Sequence, residues 1–343
     1  MRPAEIIAGI FAAGVLGAAG IARLRRPRNP LLIAAAAAGP VALPVGMLAA
    51  TSAAIARNPV LFVTSVLGTL LWRLGVRPDG TRHHAADGDR IRLLSANLLY
   101  LNRKPREAAR AIAAIDVDIV VTVETAQDSL DALGEELSGH ELAGLGCGPR
   151  GEMVAVWVRC GIEYQPIFVG LPDGSNLPGI LTQVNGIETR IVGVHLYAPV
   201  NAACRDLWDA ELLALRTWAE QQGTEVVLAG DFNASLNHPG MRELAATLPD
   251  AARSLGRGML RTWPARGFRQ GRGRCIPIFG LDHVLISRGL APASLQTRLF
   301  PGADHLGLLT EIGRTRTSDL DTTYRITGRS VIEQVTPTRV IRP

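Results

Sequence analysis

Between Met1 and Gly75 the chain carries one acid, Glu5, and seven arginines, set around three almost uncharged apolar stretches. Pro3 to Ala22 precedes the cluster Arg23-Leu24-Arg25-Arg26-Pro27-Arg28. Leu31 to Ala56 is uncharged, with Pro40 and Pro44 inside it, and Pro59 to Gly75 holds Arg73 near its end. A helix that crosses hydrocarbon needs about 20 apolar residues. The first two stretches supply that length and the third approaches it. Buried helices of a soluble domain would keep a polar face, and these stretches show almost none. A cleaved signal peptide would carry its basic cluster before the apolar run, not after it. Residues 1–75 are therefore expected to form a transmembrane anchor of two or three helices.

The arginines give this segment a net +6 against +5 for all 343 residues, which leaves −1 for the remainder. The sequence pI of 9.4 thus belongs to the anchor and is no argument for nucleic-acid binding by the rest. The positive-inside bias puts the Arg23–Arg28 loop in the cytoplasm. Three spans would return the following domain to the cytoplasmic side, and two would leave it extracytoplasmic. Cys147, Cys160, Cys204 and Cys275 form no Cys-x-x-Cys pair, which disfavours structural zinc. They are compatible with two disulfides or with four buried free thiols.

Residues 76–87 are polar and contain Gly, Pro and His, and read as a linker. Beyond them short β-rich runs alternate with helical stretches. Strands are expected at Ile91–Ala96, Asp118–Val123, Met153–Val158, Thr189–His195, Glu225–Ala229, His283–Ser287 and Leu306–Ile312. Helices are expected at Arg106–Ile115, Cys204–Gln222 and Pro239–Thr247. This alternation predicts an α/β domain with mixed sheets over residues 88–313. Residues 314–343 show no period and read as a tail.

Groups able to bind a cation or move a proton recur where the β-runs end. Asn97, Glu124 and His195 each close one, and Asp231-Phe232-Asn233 follows another. Asp282-His283 and Asp304-His305 each precede one. A single carboxylate at a strand end is usually a turn former, but six such positions on one domain describe a site. Phosphoester hydrolysis needs exactly these types of group only in combination: neutralised phosphate oxygens, a water aimed in line, and a proton for the leaving oxygen. A hard cation such as Mg²⁺ takes oxygen ligands and keeps several waters, so one or two carboxylates suffice.

The succession Ser95-Ala96-Asn97, Val123-Glu124-Thr125, Gly193-Val194-His195, Gly230-Asp231-Phe232-Asn233, Leu281-Asp282-His283-Val284 and Ala303-Asp304-His305 resembles the endonuclease/exonuclease/phosphatase superfamily, the deoxyribonuclease-I-like group. The resemblance implies a four-layer sandwich of two packed mixed β-sheets flanked by helices, here preceded by transmembrane helices, with the site at one end. It implies a Mg²⁺ or Mn²⁺ cofactor held by Asn97, Glu124 and, through water, Asp304. Asp231 would orient and deprotonate the attacking water, and Asn233 would hold a phosphate oxygen. His305 would stabilise or protonate the phosphoryl oxygens, its tautomer fixed by Asp282, and His195 would be a second catalytic histidine. His283 is expected to be structural, and His83, His84, His140 and His238 to be surface or turn residues. Tyr197 and Asn201 are expected in a loop near substrate.

Two positions depart from the pattern. Ala303 stands where a Ser is usual, and Leu99 stands where some members carry a second acid, which disfavours a two-metal site. Seven arginines and no acid lie between Arg253 and Arg274, a run that can grip phosphates or serve as a solvated, glycine-rich loop. The expected activity is metal-dependent phosphodiester hydrolysis, with nucleic acid first among substrates. A phosphatase or phospholipase-C-like esterase acting on phospholipid or inositol phosphate headgroups at the bilayer is the alternative. A decayed binding module is the reading of another class.

Overall fold

Apolar residues alternate between two buried environments along the central strands, which only a sheet covered on both faces can accommodate. The computed structural model of the chain describes residues 33, 47–54, 57–63, 65–66, 86–148, 151–266 and 275–316. In β1 (Ala86–Asn97), Ile91 and Leu93 enter one cluster while Leu94 and Ala96 enter another. In β2 (Ile119–Thr125), Ile119, Val121 and Val123 share the first cluster, and Val120 faces the second. The remaining strands are β3 (His140–Cys147), β4 (Met153–Arg159), β5 (Tyr164–Gly170), β6 (Asn176–Val184), β7 (Ile187–His195), β8 (Glu225–Asp231), β9 (Asp282–Ile286), β10 (Leu290–Leu299) and β11 (Leu306–Thr315).

They form a six-stranded sheet ordered β10-β11-β1-β2-β4-β3 and a five-stranded sheet ordered β5-β6-β7-β8-β9. Each holds one parallel pair, β1 with β2 and β7 with β8, among antiparallel neighbours. A parallel pair needs a crossover. Helix α1 (Pro105–Ala113) supplies it in the first sheet, followed after β2 by α2 (Gln127–Glu136). Helix α3 (Ala202–Glu220) supplies it in the second, with α4 (Pro239–Thr247) and the short α5 (Ala251–Ser254) after β8. Pro105 and Pro239 stand in the first helical turn, where a missing N–H costs nothing. Asn201 caps α3 by accepting the Cys204 N–H at 2.9 Å.

One core lies between the sheets, with Val121, Val154, Ile191, Val227 and Val284 among its members. A second packs α1 and α2 on the first sheet, and a third packs α3 and α4 on the other. The order helix–sheet–sheet–helix gives the expected two packed mixed sheets with flanking helices. Both crossover motifs deliver the C-terminal ends of β1, β2, β7 and β8 to one end of the sandwich. β9 and β11 run antiparallel to β8 and β1, so their first residues arrive at that same end.

Ala86 pairs with Thr315 and Asp87 with Arg314, so the sheet extends two residues beyond each expected domain edge. Among the described residues no helix is long and apolar enough to cross a membrane. Pro3 to Ala22 lies outside the described residues, as do most of the other two apolar stretches, positions 76–85 and positions 317–343. All four cysteines are free, with Cys147 and Cys160 exposed and the other two half-buried. Neither expected cysteine arrangement is found.

Candidate active site

Backbone register sets the site before any side chain is considered. His195 is the partner of Asp231 across β7–β8, and Asp231 is the partner of Asp282 across β8–β9. Asn97 ends β1 beside Val123, one residue before Glu124. His305 immediately precedes β11, which pairs with β1. The sequence Gly-Asp-Phe-Asn has a physical reason for its glycine. Gly230 has φ +153°, and a Cβ there would lie 1.9 Å from the Val194 carbonyl oxygen. Glu124 and Asn233 both have φ +48°, and Leu99 has φ +66°. Left-handed backbone at a residue other than glycine stores about 1–3 kcal/mol; Leu99 and Asn233 sit on the turns that leave β1 and β8, and Glu124 sits where β2 shifts register between Thr122 and Thr125.

One oxygen or nitrogen atom each from Glu124, Asp231 and His305 lies within 4.8 Å of the other two. The Asn97 Nδ2 donates to Glu124 Oε1 at 3.0 Å and to Asp231 Oδ2 at 3.1 Å, while its Oδ1 accepts the Leu99 N–H. Asn97 therefore ties the carboxylates together. Glu124 Oε2 accepts the Tyr100 N–H at 3.2 Å. Burial opposes its charge, but His195, the Asn97 bond and His305 more than offset this and hold Glu124 below the usual range.

Asp231 is buried and accepts the Asn233 N–H on Oδ1 at 2.8 Å. Burial and the neighbouring Asp282 push it up to about 6, against the pull of His305 and His195. His305 donates Nδ1–H to Asp282 Oδ2 at 2.8 Å, which leaves Nε2 facing Asp231 Oδ2 at 3.8 Å. Burial disfavours its protonation, yet Asp282, then Asp231, raise it to about 10. Asn233 gives one amide proton to the Leu196 carbonyl at 2.9 Å. Asp282 is itself held by Thr262, whose hydroxyl oxygen accepts the Asp282 N–H at 3.2 Å.

His195 places Nε2 3.9 Å from Glu124 Oε1 and Nδ1 3.7 Å from Glu152 Oε1. Glu152, buried just before β4, is a second carboxylate beside His195, beyond hydrogen-bond reach of its Nδ1, that the sequence reading missed. Its only signal was an acid one residue before an apolar run. Trp263 was also missed as a site residue. It donates Nε1–H to Asp304 Oδ2 at 3.0 Å, and its ring lies 6.1 Å from that of His305. Asp304 Oδ1 is buried with no hydrogen-bond partner. All eight expected site residues thus stand at one end, where one ligand atom each from Glu124, Asp231 and His305 converges.

Two of the other histidines, His238 and His140, sort differently from expectation. His283 is buried, with Nδ1 donating to Asp250 at 2.9 Å and Nε2 to the Ala234 carbonyl at 2.8 Å. His238, expected at the surface, is 1% exposed. Its Nδ1 accepts the Ser235 N–H at 2.9 Å and its Nε2 donates to the Ile33 carbonyl at 3.0 Å, edge-on to Trp208. His140 lies in β3 and bonds the Val117 carbonyl, and His83 and His84 fall outside the described residues. Asn201 spends its side chain on the helix cap and Tyr197 gives its N–H to Glu211. Of the arginine run, Arg269, Arg272 and Arg274 lie outside the described residues, and Arg266 bonds the Phe300 carbonyl.

A family model described as the Endonuclease/Exonuclease/phosphatase family matches residues 94–319. Among solved structures, D. rerio TDP2 complexed with a single-strand DNA product is 17% identical, with a TM-score of 0.55 over 66% of this chain and 100% of that one. Truncated Caenorhabditis elegans TDP2 is 17% identical, with a TM-score of 0.53 over 66% of this chain and 99% of that one. A family protein from Bacteroides thetaiotaomicron is 16% identical, with a TM-score of 0.50 over 66% and 98%. At these identities the likeness is one of fold. No curated protein matches the chain.

Proposed function

The chain belongs to the Endonuclease/Exonuclease/phosphatase family, and we propose that it hydrolyses phosphoester bonds with a divalent cation, Mg²⁺ or Mn²⁺, from a domain anchored in a membrane by residues 1–75. The observation that carries the reading is the convergence of Glu124, Asp231 and His305 within 4.8 Å. The two carboxylates of this trio fit a hard cation, and His305 stands beside them as a proton donor. Glu124 is kept ionised, Asp231 offers a second carboxylate, and the partnerless Asp304 Oδ1 stands nearby for a metal-bound water. The cation would neutralise charge on the phosphate oxygens.

Each protein group then has a task set by its surroundings. Asp231, titrating near 6 and fixed by Asn97 and Asn233, is a base suited to take a proton from the attacking water. His305, held protonated by Asp282, offers Nε2–H to the phosphoryl oxygens. An amide nitrogen carries two protons, and the one that Asn233 does not give to Leu196 is available to a phosphate oxygen. His195, with Glu152 3.7 Å from its Nδ1, is placed to protonate the leaving oxygen. The arginine run supports a nucleic-acid substrate, while the net −1 outside residues 1–75 supports it poorly.

The test uses the purified full chain in mild detergent with bis(p-nitrophenyl) phosphate and p-nitrophenyl phosphate. Hydrolysis should stop on chelation, return with Mg²⁺ or Mn²⁺, and fall by about 10³-fold in Asp231→Ala, the scale of losing a base that also helps hold a cation. Turnover that survives both chelation and that substitution would sink the reading.

A further inference from the structure

Asn233 bears the amide offered to a phosphate oxygen, yet its backbone is left-handed, with φ +48°. A strained residue keeps such a conformation only where its surroundings over-determine it. Its own contacts supply part of the hold: its N–H goes to Asp231 Oδ1 and its side chain to the Leu196 carbonyl. The rest comes from His283. In β9 successive side chains point to opposite faces, so that Asp282 turns to His305 and His283 turns to the loop after β8.

His283 grips the residue on either side of Asn233. Its ring meets the Phe232 ring edge-on, with centroids 5.8 Å apart, and its Nε2–H goes to the Ala234 carbonyl at 2.8 Å, with the Gly280 carbonyl at 3.3 Å. Beside it the Phe232 N–H donates to the Leu281 carbonyl at 3.0 Å. The ring is aimed by Asp250, whose Oδ2 accepts Nδ1–H at 2.9 Å while its Oδ1 accepts the Arg253 N–H at the start of α5. His283 and Asp250 are both buried, 3% and 4% exposed. Both ring nitrogens face acceptors, so both carry a proton and the ring is an imidazolium. Burial opposes that charge, and Asp250 more than offsets it. A buried ion pair is weak evidence of stability gained, because apolar residues of the same volume often pack as well. What this one supplies is direction: two donors fixed at once, one on α5's cap and one on the catalytic loop.

We propose that His283, aimed by Asp250, is a positioning residue for Asn233, holding Phe232 and Ala234 so that the free amide proton of Asn233 meets the phosphate oxygen. The reaction in this proposal is the phosphoester hydrolysis proposed above, while the hold on the loop is independent of it.

The test is a double-mutant cycle on the full chain in mild detergent, with bis(p-nitrophenyl) phosphate and Mg²⁺. Asn233→Gly keeps the left-handed backbone without strain and removes the amide. It should lower kcat/KM by about 10²–10³-fold, the scale of one lost oxyanion donor. His283→Gln alone should lower it by about 10- to 100-fold, the scale of one hydrogen bond from a charged group. Added to Asn233→Gly, the same substitution should cost less than about threefold, because the group it positions is already gone. A purely structural histidine would lower both backgrounds by the same factor, and that result overturns the proposal, as does an undiminished rate in His283→Gln alone. Asp250→Asn leaves an oxygen for Nδ1–H and removes the balancing charge, so it serves in the same cycle where His283→Gln does not fold, with a single loss of about tenfold. Hydrogen–deuterium exchange gives the reading that needs no turnover. In either variant the peptide over Asp231–His238 should exchange about tenfold faster while peptides of β1 and β2 keep their protection, and unchanged or evenly raised exchange overturns the hold. Wild-type protein that hydrolyses no phosphoester, with that peptide alone loosened in the variants, refutes the phosphoester reading and leaves the hold on the loop standing.

Discussion

Glu211 lies in α3, fully buried, with Oε2 accepting the Tyr197 N–H at 2.9 Å and Oε1 without a partner. Burial is the chief reason its carboxyl is pushed up to about 7, with the Tyr197 bond opposing and Asp173 adding to the rise. In the unfolded chain the same group titrates at its ordinary value of 4.5. Between pH 4.5 and 7 the unfolded state has lost a proton that the folded state retains, so stability falls as pH rises through that window. A rise of this size corresponds to roughly 3 kcal/mol at most, fully felt above pH 7. Glu211→Gln keeps an oxygen for the Tyr197 N–H and removes the ionisation. The variant should match the parent near pH 4.5 and exceed it by about 2–3 kcal/mol at pH 8, or roughly 4–10 °C in Tm for a domain of this size. Thermal melts followed by tryptophan fluorescence can read this, because Trp208 lies one helical turn away on α3. A stability difference that does not change between pH 4.5 and 8 would refute the reasoning, since a lost contact has no reason to titrate.

Asp282→Asn removes the largest influence that raises His305, and burial then pulls the ring below its present position near 10. The rate should fall by about 10²–10⁴-fold, and the alkaline limb of the pH–rate profile should move to lower pH. Trp263→Phe deletes the N–H that holds Asp304. With a hydrogen bond to a charged group worth about 1.5–3 kcal/mol, kcat should drop about 10- to 100-fold with little change in KM, and the opposite pattern would make Trp263 a substrate contact instead. Gly230→Ala forces a Cβ against the Val194 carbonyl and should destabilise the domain by about 3 kcal/mol or more, read as a lowered midpoint in urea with an unchanged slope.

The strands that end in chemistry were legible because their sequence is doubly apolar and then abruptly polar, as in Val226-Val227-Leu228-Ala229-Gly230-Asp231. The edge strands β3, β5 and β10 and the interior β6 were not. β3 contains Gly144 and Gly146, whose missing Cβ atoms make room for Pro178 and for the Asn176 carbonyl of β6 in the facing sheet. That contact reads locally as a string of turn formers. β6 holds Pro178 and Gly179 for the same reason, although Asn185-Gly186, both with positive φ, is a strong hairpin signal between β6 and β7. β10 and α2 were passed over too, α2 because Ala126 offers no capping side chain.

The site shows the same division between what one segment can reveal and what only two segments together decide. Asn97, Glu124, His195, Asp231, Asp282 and His305 are each announced by the end of their own strand. Glu152 and Trp263 gain meaning only from the partner they meet: β4 carries Glu152 to His195 of the other sheet, and the loop before β9 carries Trp263 over Asp304. The same holds for His238, which its surroundings in sequence present as a turn residue. It is buried because Ile33, 205 positions away, lies across it. A histidine whose Nδ1 accepts a backbone N–H can only donate through Nε2, so the geometry of its own loop fixes which atom of the distant segment it must find. The loop that bears Asp231 and Asn233 therefore depends for its buried polar satisfaction on a residue from the apolar N-terminal region. This is a physical link between the N-terminal region and the site that neither segment discloses alone.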